Sequence, residues 1–69
     1  MRRFAVIRVP TSGPPALVAQ PNVFDSQDSA DARIAEIEAR QLMTHHTYLD
    51  TVAFEGPLMA AMQSRGISV

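Results

Sequence analysis

The chain has no cysteine and no lysine among its 69 residues. Without cysteine it can form neither a disulfide nor a thiolate zinc site. It also lacks any apolar run near the ~20 residues that a membrane-spanning helix needs. Arg8 interrupts the apolar stretch after Arg2 and Arg3, which leaves it shorter than the apolar segment of a signal peptide. We therefore expect a cytoplasmic protein that does not enter a membrane.

An excess of positive charge is missing as well, because the net charge is -1 at pH 7. Proteins that bind nucleic acids normally present a basic face to the phosphates, so nucleic acid is not the expected partner. The charge is unevenly spread: Arg2, Arg3 and Arg8 open the chain, and acids dominate residues 25–55. The alternative function drawn from the three arginines and Phe4 is a nucleic-acid-linked regulator.

The length allows a single domain, residues 1–69, and 46% of the residues are hydrophobic. Ordering a chain costs about 1.5 kcal/mol per residue, which a core of this size barely offsets. Because disulfides and thiolate zinc sites are excluded, we expect additional burial to come from a partner protein or from a second copy, although some chains of about 55–65 residues fold alone. We expect a homodimer, since two-fold dimers are the commonest oligomers.

The first element is predicted to be a strand over residues 3–9, followed by an extended segment over residues 16–24. Apolar residues fall on both faces of the first strand, so it should be covered on both sides or lie at a subunit interface. Pro21 cannot donate to a ladder, which favours an edge or a break in the second segment.

Residues 25–43 predict the main helix, with Asp25, Ser26 or Asp28 available to cap it. Its apolar stripe follows helical spacing and consists of Ala30, Ile34 and Ile37, widened by Ala35, Ala39 and Leu42. Arg33, Glu36 and Arg40 are predicted on the opposite, solvated side, with a favourable pair between Glu36 and Arg40.

Residues 47–55 alternate in a way that predicts a strand, although continuation of the helix is the alternative. Pro57 then begins a short helix, and Gly66 ends it with Ile67 folding back on the last turn. The fold class is therefore α+β, a small antiparallel or mixed sheet with one main helix and a short C-terminal helix, in the order β-β-α-β-α. The alternative fold is a helical hairpin with an extended N-terminal arm.

His45 and His46 are the obvious candidates for a metal site. Adjacent histidines point about 100° apart on a helix and to opposite faces on a strand, so they do not suit one ion. We therefore predict no metal, although a histidine-dependent metal-binding protein stays an alternative. The three glycines are isolated and no nucleophile elbow occurs, so we expect neither a catalytic residue nor a cofactor, and no enzyme.

The function expected from this sequence is a small protein-interaction module, a regulator or inhibitor that occludes a surface of a larger protein. The exposed strand edge is expected near residues 2–9 or 16–20. Aromatic and arginine side chains dominate binding energy at interfaces, and methionines adapt to partner surfaces. The candidate contact residues are Arg2, Arg3, Phe4, Arg8, Tyr48, Phe54 and Met59.

Overall fold

The computed structural model of the chain describes residues 1–40 and 47–68. It has a small open antiparallel sheet of four strands with a main helix and a short C-terminal helix, so the α+β prediction is confirmed. The predicted second strand is split in two by its central break. In chain order the elements are β1 (Arg3–Pro10), β2 (Ala16–Leu17), β3 (Val23–Phe24), α1 (Gln27–Arg40), β4 (Thr47–Phe54) and α2 (Leu58–Ser64).

Strand β1 lies in the middle of the sheet. On one side it pairs along its whole length with β4, from Arg3 opposite Phe54 to Pro10 opposite Thr47. On the other side β2 pairs with its second half and β3 with its first half. The expectation of an exposed edge at residues 2–9 was therefore wrong, because both sides of β1 are used.

The segment between β2 and β3 leaves the ladder at Pro21, where the Gln20–Pro21 peptide is cis. The chain still bonds to β1 on either side of this break. The amide of Val6 donates to the carbonyl of Asn22 at 2.9 Å, and its carbonyl accepts from the amide of Val18 at 3.2 Å. Val6 thus uses both backbone groups on the β2–β3 side.

Helix α1 covers one face of the sheet. The Ser26 hydroxyl accepts a hydrogen bond from the Ser29 amide at 3.2 Å, which is the geometry of an N-cap. Ala30 and Ile37 are buried in a core with Val6 and Val18, and Phe4, Phe24, Ile34 and Leu49 pack around it. The predicted widening of the stripe by Ala35 and Ala39 was wrong, since both are exposed. Leu42 lies outside the described residues.

Helix α2 covers the other face, and its end follows the predicted pattern. Gly66 has a φ of 71°, a conformation that glycine adopts without steric cost. The Ile67 amide donates to the Met62 carbonyl at 2.9 Å and the Gly66 amide to the Gln63 carbonyl at 3.1 Å, which defines a Schellman motif. Ile67 thereby packs in a core with Ala5, Ile7, Phe54, Ala61 and Met62.

Both faces of the sheet are therefore covered, as the apolar residues on both faces of β1 predicted. Residues 47–54 form a strand, which excludes the helical alternative for that segment. In the described part of the chain, neither helix has the length and apolar character to cross a membrane.

Candidate protein-interaction edge

Strand β4 forms one side of the sheet, and the hydrogen-bond pattern fixes which of its groups point outward. Val6 is opposite Thr51, but both backbone groups of Val6 bond to the β2–β3 side. Antiparallel ladders alternate between bonded and non-bonded pairs, so Thr51 turns its amide and carbonyl away from β1. Leu49 and Ala53, two positions to either side, do the same. These outward backbone groups of Leu49, Thr51 and Ala53 are called the open edge below.

Two charged side chains of the chain itself cover part of the open edge. The Asp50 carboxylate Oδ1 accepts a hydrogen bond from the Thr51 amide at 2.8 Å. Arg65, at the end of α2, donates from Nη2 to the Ala53 carbonyl at 3.2 Å. Charged side chains are one of the means by which native proteins protect strand edges. The sequence prediction missed both roles, and the available signal was an acid in the middle of an otherwise neutral strand.

Tyr48 and Phe54 share one face of β4 but differ sharply in exposure. Tyr48 is 58% exposed and Phe54 is 2% exposed. The two residues are about 20 Å apart along the strand, whereas the seven residues of α2 extend only about 10 Å. Because α2 starts just after β4 ends, it covers Phe54 and leaves Tyr48 in solvent. Phe54 is a core residue, and its assignment as a contact residue is corrected.

The basic residues at the start of the chain do not form a patch. Arg3 lies over the Phe54 ring, 5.3 Å from its centroid, and Nη2 is 3.5 Å from the Gly56 carbonyl. Arg8 is exposed and has the opposite parity along β1, so it belongs to the face that α1 covers, about 16 Å from Arg3. Arg2 is exposed and precedes the strand. Arg3 and Arg8 therefore lie on opposite faces of the sheet.

The two remaining contact candidates lie on different elements. Phe4 is half-buried and packs against the core beneath α1, so little of its ring is available to a partner. Met59 is 53% exposed on α2. Of the predicted contact residues, Tyr48 and Phe54 lie on the strand that carries the open edge, and only Tyr48 of these two is exposed.

Within residues 1–40 and 47–68, no group of three or more histidine, cysteine, aspartate or glutamate side chains is arranged to hold a metal ion. His45 and His46 lie outside the described residues, so the prediction made for them stays a prediction. Comparison of the chain with models of protein families, with curated proteins and with solved structures found no match.

Proposed function

We propose that the chain is a small non-enzymatic protein-interaction module that binds an extended segment of another protein along β4. The single observation that carries the proposal is the open edge, beside which Tyr48 is 58% exposed. An added strand gains affinity from main-chain hydrogen bonds and specificity from alternate side chains. Tyrosine is enriched among the residues that dominate binding energy.

The covered faces of the sheet also support an edge rather than a face as the binding surface. α1 and α2 occupy the two faces, and the large hydrophobic residues exposed in the described part of the chain are Met1, Tyr48 and Met59. A chain that binds in this way acts by occluding a strand of its partner. We therefore propose a regulator or inhibitor that works by occupancy and not by chemistry.

The proposal is tested by capture of partners from the native host with a tagged full-length chain. The wild type is expected to retain one protein in stoichiometric amount, and Tyr48→Ala to weaken that complex about tenfold or more, which is the effect expected of a residue at the centre of an interface. Gln63→Ala is the control, because Gln63 is exposed on α2 and is not part of β4. The affinity is measured by calorimetry with the purified partner.

Ala53 offers a second, backbone-directed test. Its side chain is exposed and its amide points outward, so proline there removes an outward donor and spares the ladder to β1. We expect Ala53→Pro to abolish partner binding and Ala53→Val to preserve it, with both variants folded by circular dichroism. Unchanged affinity in both Tyr48→Ala and Ala53→Pro would contradict the proposed function.

A further inference from the structure

We infer that the open edge also pairs with itself, so that two copies join β4 to β4 in antiparallel orientation across a two-fold axis at Thr51. The inference rests on the proposed function, because it names a second copy of the chain as one occupant of the same edge. Self-pairing hides the edge from other partners, so the dimer is the form that does not bind them.

The register follows from the length of β4 and the position of its one acid. Two copies can pair only if outward-pointing residues face each other, which places the two-fold axis on a residue of the strand. Within Thr47–Phe54, the axes that pair most of the strand pass through Asp50 or Thr51. An axis at Asp50 sets the two carboxylates directly opposite each other, and like charges in that position are destabilising.

The axis at Thr51 produces favourable neighbours instead. Thr51 then faces the second Thr51, and threonine pairs across strands are stabilising. Leu49 faces Ala53 of the second copy, so each outward amide and carbonyl of this pair gains a backbone partner. On the other side of the pleat, Tyr48 lies opposite Phe54 and Asp50 lies opposite Val52.

The charges at the edge complement this register. Arg65 bonds to the Ala53 carbonyl, beside Val52, and Asp50 of the second copy comes opposite Val52 on the same face. When backbone groups of the second copy replace Asp50 at the Thr51 amide and Arg65 at the Ala53 carbonyl, both side chains are released. They can then pair with each other across the interface, and the symmetry forms that ion pair twice.

A chain without cysteine makes the register directly testable by crosslinking. Cα atoms of a bonded antiparallel pair are about 5.5 Å apart, but their Cβ atoms are farther apart than an unstrained disulfide allows. We therefore expect a short bis-maleimide reagent to link Thr51→Cys into a covalent dimer. Ala60→Cys is the control, since Ala60 is exposed on α2 and is not part of β4, and it should remain uncrosslinked under the same conditions.

The mass of the full chain in solution tests the dimer itself. Sedimentation from about 1 µM to 1 mM, a range that brackets affinities of about -8 to -4 kcal/mol, should show two copies that dissociate on dilution. Ala53→Pro should remain a single copy and Ala53→Val should still dimerise. Asp50→Arg and Arg65→Asp should each weaken dimerisation by about tenfold or more, because each creates like-charge contacts. The double reversal should restore it.

Three results would overturn the inference. The first is that the wild type is a single copy at every concentration and Thr51→Cys does not crosslink. The second is that Ala53→Pro still forms the dimer. The third is that the charge reversals leave the dissociation constant of the dimer unchanged. None of them decides the proposed function, which depends on whether Tyr48→Ala and Ala53→Pro lose the heterologous partner. If the wild type is monomeric and these variants still lose the partner, the proposed function stands and only the dimer is excluded.

Discussion

The two sides of the sheet are protected in different ways. On the β2–β3 side the strands have two residues each, and the C-terminal tail pairs with β2. The Leu17 amide donates to the Ser68 carbonyl at 2.9 Å and the Ser68 amide to the Pro15 carbonyl at 2.8 Å. On the β4 side, a continuous strand of eight residues is covered at Thr51 by Asp50 and at Ala53 by Arg65.

Helix α1 adds further cover to the β2–β3 side. Arg33 reaches across to the break at Pro21, where Nε lies 3.0 Å from the Pro21 carbonyl and Nη2 lies 3.1 Å from the Ala19 carbonyl. Its side chain is 13% exposed, and it pairs with Glu36. Backbone groups that cannot reach a ladder are thus satisfied by a side chain. Within residues 1–40 and 47–68, the β2–β3 side is therefore covered by the C-terminal tail and by Arg33 of α1, whereas the β4 side is covered by the side chains of Asp50 and Arg65.

The largest expected effect comes from Ile67→Ala, which breaks the cover of the β2–β3 side. Ile67 is 6% exposed and holds the tail in place for the Ser68 bridge. Removing its side chain should cost about 2–5 kcal/mol of unfolding free energy, the range for truncation of buried isoleucine. Urea unfolding at a concentration where the chain is a single copy measures this. Met59→Ala, on the exposed side of α2, is the control and should change stability by about 0.5 kcal/mol or less.

A smaller effect is expected from Arg33→Ala. It removes the donor to the carbonyls of Ala19 and Pro21, which are exposed, and the net contribution of such a hydrogen bond is about 0.5–1.5 kcal/mol. Arg33→Lys keeps the charge but cannot form the same fork, so its stability should fall between those of the wild type and the alanine variant. Equal stability of all three proteins would show that the break at Pro21 does not need this contact.

The smallest effect is expected on the β4 side, from Asp50→Ala. Asp50 is exposed, so the unfolding free energy should change by about 0.5 kcal/mol or less. The exchange rate of the Thr51 amide with solvent should nevertheless rise, because its acceptor is removed. Glu55→Ala changes an exposed acid just beyond β4 and should leave that rate unaltered. If the Thr51 amide exchanged at the same rate in both variants, the hydrogen bond from this amide to the Asp50 carboxylate would not protect the edge.

Much of the fold could be predicted because local signals agreed with it. Three of these signals are local, because residues close together in the sequence determine the structure that forms. They are the alternation in β1, the helical spacing of Ala30, Ile34 and Ile37, and the helix ending at Gly66 and Ile67. The hydrogen-bond partner of Arg33 could not be predicted in this way. Helical spacing placed it on the solvated side, and the carbonyls that bind it come from a loop 12–14 residues earlier.

The candidate site was harder to predict than the fold. The two aromatic side chains of β4 look alike in sequence, and only the reach of α2 separates the buried Phe54 from the exposed Tyr48. Likewise, the apolar pattern of β1 predicted a strand covered on both sides or at a subunit interface, but the identity of the edge strand depends on the long-range pairing of β1 with β4. Strand order depends on contacts between segments that are far apart in the sequence, so it cannot be predicted from any short segment alone.

Thr51 connects the open edge to helix α1. Its hydroxyl accepts a hydrogen bond of 2.9 Å from Gln27 in the first turn of α1, while its amide belongs to the open edge. Any strand that docks beside Thr51 therefore acts on the residue that anchors the beginning of the helix. The NMR resonance of the Gln27 side-chain amide should therefore shift when a strand occupies the open edge, although Gln27 lies on α1 and not on the edge itself.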